Sequence, residues 1–293
     1  MMKKQILTAA AVLAVALGAF ADAPKAEEVQ RTYHKHHKTY GQGKYYQISR
    51  ENMSYLIYFQ WVQATQKTDQ QVLVGLPEPS FWSGFNRRGM FNLQVNGISI
   101  YDLEPKEITV FNEPKQAGIV VAYNFNGARM DLRFFMDDAQ PLLHVEITPS
   151  AKNKPGAVKK LQLDFSVDPS MTGKPHGTYK RELLSPVKKY DRQGWTDLGP
   201  QDAWLVMYDT KYGYTKDNPK AQSPVFLRMD TSVFEKARVH YGNASAITFR
   251  LTCKPDSPKI SLDILETRKQ MTNQEFMDYL SGLKLIPAQA AGK

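Results

Sequence analysis

The chain has 293 residues, 42% of them hydrophobic and 23% charged, a balance that suits one large or two modest globular domains rather than a disordered chain. Its 17 prolines, 18 glycines and 11% aromatic content exclude a coiled coil or other long-helix architecture, in which turn-makers are scarce. Lys and Arg number 38 against 29 Asp and Glu, a formal charge of +9, and no catalytic signature stands out of that composition.

The first segment reads as a leader. Met1 to Lys4 is a short basic start, Ile6 to Gly18 is an apolar run without charge, and Ala19, Phe20 and Ala21 put small residues where a signal peptidase needs them. The run is shorter than the roughly 20 residues a spanning helix requires, so cleavage before Asp22 and a secreted or periplasmic mature chain with no membrane span are expected. Residues 22–43 read as an exposed arm. Within it His34 and His36 fall on one side of an extended backbone, the start of a Zn²⁺ or Cu²⁺ site. A third ligand is not apparent beside them. No phosphate-cradling glycine loop or paired CxxC follows, so no metal and no other cofactor is expected.

Residues 44–286 read as one antiparallel β-sandwich domain. In Met53 to Ala64, Met53, Leu56, Ile57, Trp61 and Ala64 fit a helical stripe, but the β-favouring composition points to a strand buried on both faces. The loop from Phe81 to Gly89 mixes aromatic and forked polar groups, and Trp82, Phe85, Asn86, Arg87 and Arg88 are candidate sugar-binding residues: rings cover an apolar sugar face while Asn and Arg bond hydroxyls. Asn96-Gly97 and Asn126-Gly127 sit between alternating runs and predict type I′ hairpins. Asp102 and Glu104, two apart, would point to one side of an extended strand end about 7 Å apart, near the spacing of an inverting glycosidase's carboxylates. Asp137-Asp138 is a poorer pair, because strand neighbours face opposite sides.

Strands follow at Leu142 to Thr148, Lys160 to Val167, Tyr179 to Leu184, Trp204 to Tyr208, Val225 to Met229, Ile247 to Cys253 and Ile260 to Leu265. His144 and Glu146 share a face of the first and form a candidate His–Glu couple. Between Ser150 and Arg192 ten Lys or Arg face four Asp or Glu, a basic stretch open to polyanions or simply solvated. Polar alternates such as Gln162, Asp164, Thr248, Arg250, Ser261 and Asp263 predict sheets with one wet face. The segments Tyr190 to Asp197 and Tyr208 to Tyr214 read as two more aromatic loops, with Trp195 and Tyr212 as candidate ligand contacts. Cys253, the single cysteine, falls on an apolar strand face and is expected buried and inert. Thr272 to Glu275 is a capping box that opens a short C-terminal helix from Asn273 to about Ser281, and residues 287–293 read as a flexible tail.

Many strands, hairpin turns and missing helical crossovers give an all-β fold: a large antiparallel β-sandwich with a short C-terminal helix. Phe91 to Gly97, Leu142 to Pro149 and Leu161 to Val167, with the basic linker between the last two, resemble the large twisted sandwiches of the galactose-mutarotase-like group over about residues 40 to 266. That resemblance implies a carbohydrate setting; the group's paired catalytic His and Glu have no assigned counterparts in this sequence. The expected function is an exported protein that recognises or processes glycans, with binding ahead of catalysis. The alternatives are a non-enzymatic envelope or assembly protein with a protein partner, and a glycoside-active enzyme using paired carboxylates. Nucleic acid is not an expected partner.

Overall fold

The computed structural model describes residues 23–32, 42–50, 53–62, 66–74, 81–82, 91–169, 179–190, 193–215, 217, 224–241, 246–254, 258–267 and 271–287. The expected leader, His34 and His36, and the loop residues Phe85, Asn86, Arg87 and Arg88 lie outside these. Among the described residues twenty strands build three antiparallel sheets. Five strands, β1 (Lys25–Thr32), β2 (Gln42–Arg50), β3 (Met53–Val62), β4 (Lys67–Val74) and β5 (Phe81–Trp82), pair in chain order as a meander.

A six-stranded sheet runs from β6 (Asn92–Val95) and β7 (Ile98–Ser99) through β12 (Leu161–Val167), β19 (Ile247–Cys253) and β18 (Phe234–Tyr241) to β15 (Gly194–Asp197), with β7 and β15 at its edges. The third sheet has nine strands. From one edge to the other these are β8 (Glu107–Glu113), β9 (Gln116–Phe125), β10 (Ala128–Asp137), β11 (Leu143–Pro149), β20 (Ile260–Glu266), β17 (Val225–Met229), β16 (Trp204–Asp209), β13 (Arg181–Leu184) and β14 (Lys189–Tyr190). The chain is thus an all-β, antiparallel sandwich, as the alternation predicts. Among the described residues no helix is long and apolar enough to cross a membrane.

Both predicted hairpins form for the predicted reason. Asn96 and Gly97 have φ of 53° and 86°, and Asn126 and Gly127 have 55° and 93°, the paired positive values of a type I′ turn. Asn96 also ties its turn to the basic linker, accepting from the backbone N–H groups of Lys159 and Lys160 and donating to the carbonyl of Ala157. Met53–Val62 is a strand, and residues 53–59 are all buried. Two segments differ from expectation. Lys25–Thr32, the start of the predicted arm, is an edge strand paired with β2, held also by Ala26, whose N–H and carbonyl meet the side-chain amide of Asn112 at 2.8 and 2.9 Å. Gly194–Asp197, read as loop, is strand β15, because its own alternation is too short to register while pairing with β18 supplies the order.

The core lies between the sheets. Along β10, Met130, Leu132, Phe134 and Met136 point inward, and Arg129, Asp131, Arg133 and Asp137 take the opposite face. Phe91 of the six-stranded layer stacks 6.4 Å from Phe134 and meets Phe165 edge-on at 5.5 Å, and Phe59 brings the five-stranded sheet to Phe134 at 5.5 Å. Each such fully buried side chain contributes about 1.5–3 kcal/mol, against about 0–1 kcal/mol for an exposed ion pair, so the rings rather than the surface charges hold the layers. The buried Tyr55 hydroxyl accepts from the Glu266 N–H and donates to the Ile264 carbonyl, which closes the end of β20. Helix α1 (Asn273–Gly282) opens on the reciprocal Thr272–Glu275 capping box and buries Phe276, Met277 and Leu280.

Gly118 of β9 has no room for a side chain: a Cβ there would lie 2.0 Å from the Phe134 carbonyl oxygen and 2.7 Å from Phe135 Cα. Gly127 has open space and only its positive φ to protect, worth about 1–2 kcal/mol. Urea denaturation should therefore show Gly118→Ala losing clearly more stability than Gly127→Ala. Equal losses would contradict the close approach of β9 and β10.

Candidate functional site

Alternation places polar side chains on one face of the nine-stranded sheet across β10, β11 and β20, while Val206, Phe226 and Leu265 are buried on the same face toward β16. Strand register then decides which side chains meet. One row crosses seven strands through paired residues: Phe111, Gly118, Phe135, His144, Asp263, Arg228 and Trp204. Its centre is an ion-paired chain. His144 Nδ1 lies 2.6 Å from Asp263 Oδ1, and the other carboxylate oxygen of Asp263 accepts from Arg228 Nε at 2.7 Å. Phe135 stacks on the imidazole at 4.8 Å and 24°. Burial pushes the Asp263 carboxyl upward, but the hydrogen bonds and positive charges of His144 and Arg228 outweigh it and hold the group below its ordinary range.

With Asp263 ionised and accepting, His144 Nδ1 is the donor of that bond and Nε2 is turned to the other side of the ring. Nε2 faces Asp137 Oδ2 at 3.3 Å, an ion-pair distance without hydrogen-bond alignment. Asp137 is fixed from several sides. Its Oδ1 accepts from the N–H groups of Ala139 and Gln140, and its carbonyl accepts from Arg50 of β2 at 3.0 Å. The Gln140 amide in turn donates to the Leu283 carbonyl at the end of α1. The arrangement sets an imidazole between two carboxylates, hydrogen-bonded to Asp263 and facing Asp137. Side-chain exposures of 14% for His144 and 31% for Asp137 leave the Asp137 end the more open.

The structure does not join His144 to Glu146. Two residues along β11 they share a face, but the neighbours in register differ: Glu146 lies 3.9 Å from Arg133 and 3.3 Å from Lys259. Arg133 also sits over the rings of Phe111 and Phe135, at 4.6 and 4.2 Å. Beyond Lys259 a cavity of about 480 Å³ opens, lined by Pro149, Asp230, Val233, Pro258, Lys259 and Ser261. Asp102 and Glu104 are both exposed, and Asp102 closes a 3-10 turn, so the extended spacing expected of the pair does not apply. Among the described residues no group of three His, Cys, Asp or Glu is arranged to hold a metal ion.

The second polar face belongs to the six-stranded sheet. Trp195 of β15 is 39% exposed, the one exposed large aromatic among the described residues. Its indole meets His240 edge-on at 5.3 Å, and the guanidinium carbons of Arg238 and Arg250 each lie 5.4 Å from its ring. In register with Trp195 come His240, Thr248 and Ser166, and the last two share a 3.0 Å hydrogen bond. Tyr190 is buried and caps the core, whereas Tyr212 is half-buried against Tyr179 at 5.6 Å. Trp82 lies in β5, paired with Leu73. Sequence reasoning missed Asp263, Arg228, Arg238 and His240 as site members. The wet-face alternation marked Asp263 and Arg250 as outward, but nothing local names a neighbour on another strand.

No family model matches the chain, and no curated protein matches it. Solved structures similar to it include a TPR-domain containing protein from Parabacteroides distasonis, at 8% identity and TM-score 0.48, over 86% of this chain and 56% of that one. An alpha-galactosidase from Lactobacillus brevis is similar at 12% identity and TM-score 0.45, over 82% of this chain and 41% of that one. A candidate aldose 1-epimerase from Klebsiella pneumoniae is similar at 10% identity and TM-score 0.39, over 92% of each chain. The chain thus spans about half the length, or less, of the first two.

Two measurements check these environments. Asp263 has a folded pKa below its ordinary 3.8, so its contribution to stability is complete above that value and is lost as pH falls through the folded pKa. Asp263→Asn should flatten the acid limb of the stability profile and cost about 1.5–3 kcal/mol at neutral pH, the worth of charged hydrogen bonds; superimposable acid limbs would refute the network. Cys253 is buried, and burial pushes its thiol up to about 12. Maleimide labelling should be slow in the native protein and fast in urea, and equal rates would show the thiol to be accessible.

Proposed function

We propose that the chain is an exported protein that recognises glycans, with the Trp195 shelf as its contact surface. The carrying observation is an exposed indole on an otherwise polar sheet face, flanked by two guanidiniums and an imidazole, with the hydroxyls of Thr248 and Ser166 farther along the same row. Sugars present an apolar ring face bordered by hydroxyls. An aromatic plate with forked donors around it matches both parts, and an open shelf holds a chain without enclosing a bond for cleavage. The galactosidase and epimerase among the similar structures act on sugars by name, which is consistent with this reading but does not carry it.

A second reading is glycan processing, and one observation favours it: His144 lies between Asp263 and Asp137, an arrangement suited to moving a proton to or from a sugar hydroxyl or ring oxygen. The two readings place the ligand on different sheets.

A glycan screen with mass-spectrometric product detection separates them. Recognition predicts retention of unchanged glycan and a loss of at least about tenfold in Trp195→Ala, since buried aromatic anchors are worth more than about 1 kcal/mol and 1.4 kcal/mol is tenfold. Unaltered retention in that variant would remove the shelf from the proposal. Appearance of a new product that His144→Gln abolishes would move the function to the nine-stranded face.

A further inference from the structure

The row beside Trp195 has a charge order that stability alone does not explain. Asp197, Arg238, Arg250 and Asp164 follow one another across β15, β18, β19 and β12, each paired in register with the next. The two arginines occupy the middle and the two acids the flanks. Directly opposed residues on antiparallel strands have Cα atoms about 4.5–5.5 Å apart, and like charges there are destabilising. Exchanging either arginine with its flanking acid would give alternating charge in the same four positions.

The flanking acids do not use up the guanidiniums. Arg250 meets Asp164 through Nε at 3.1 Å, and Arg238 approaches Asp197 through Nε at 2.9 Å without hydrogen-bond alignment. Among the described residues the Nη groups of both arginines make no hydrogen bond. Both forks stand 5.4 Å from the same indole, and the side chains are 32% and 52% exposed for Arg238 and Arg250. Asp164 is itself held in place by the Gln162 amide, at 3.2 and 3.1 Å, so the Arg250 fork has a fixed support.

Resting on the reading of this shelf as the glycan contact, we propose that the ligand is an acidic glycan whose carboxylate or sulfate is gripped between Arg238 and Arg250 while a sugar ring covers Trp195. Planar guanidinium forks match the paired oxygens of such groups, and an anion between them removes the repulsion that the bare row carries. Carboxylate and sulfate offer the same oxygen geometry to the forks and are told apart by the test. The tryptophan distinguishes the site from a plain anion patch, because it demands a ring next to the charge.

The test uses the full chain and three length-matched oligosaccharides, one neutral, one with uronate residues and one sulfated, each at low and high salt. The acidic ligands should be retained about tenfold more tightly than the neutral one, with the advantage shrinking as salt rises. In the Arg238→Gln/Arg250→Gln pair the acidic-to-neutral ratio should fall to about one. Arg250→Lys keeps the charge and loses the fork, so it should give an intermediate ratio and serves if the double variant does not fold. Whichever acidic ligand is favoured names the group. A ratio near one in the unaltered protein, with glycans still held through Trp195, would overturn this inference and leave the recognition reading standing. Failure to retain any of the three would overturn both. Equal competition by an acidic peptide or a polynucleotide would also overturn it, since a generic polyanion surface has no use for the indole.

Discussion

In a sheet the side-chain period is two, and a shift of one residue in any strand would carry its whole apolar set to the solvent. That constraint governs both faces of this molecule. Met130, Leu132, Phe134 and Met136 can be inside only if Arg129, Asp131, Arg133 and Asp137 are outside. The same rule, applied across β8, β9, β10, β11, β20, β17 and β16, lines up one row of side chains whose members come from distant parts of the chain. The polar groups on the outer faces are therefore positioned by the burial of their neighbours, and the aromatic contacts through Phe134 and Phe165 supply the rigidity that a network of surface charges could not.

The two polar faces use this frame differently. On the nine-stranded sheet opposite charges alternate, so that each finds a partner: Arg228 with Asp263, Asp263 with His144, His144 with Asp137, Arg133 with Glu146, Glu146 with Lys259. Such a face pairs its charges within itself, with His144 Nε2 left facing a carboxylate without a hydrogen bond. On the six-stranded sheet like charges adjoin and an aromatic stands exposed at the edge strand. An arrangement that leaves groups unsatisfied is more informative about a missing ligand than one that closes on itself.

What the sequence discloses follows the same division between local and distant. The Asn-Gly hairpins, the Thr272 capping box, the doubly buried β3 and the apolar setting of Cys253 depend on residues within a few positions, and all are readable in advance. His144 and Glu146 were visible as outward residues of one strand, but their partners were not: Asp263 is 119 positions from His144, and only the pairing of β11 with β20 brings it there. Trp195 was legible as a candidate because of its residue type. Its surroundings were hidden, since four residues of β15 carry too little pattern to be recognised and the arginines flanking the indole arrive on β18 and β19. Asp102 and Glu104 show the reverse error, where spacing was read as extended and the chain instead turns.

The lone buried thiol of β19 bears on how the molecule is held together. With Cys253 its only sulfhydryl, the chain can form no intramolecular disulfide, and its cohesion rests on aromatic and aliphatic packing between layers. The fold therefore stands without a covalent bridge, and its conformation does not depend on the redox state of its surroundings.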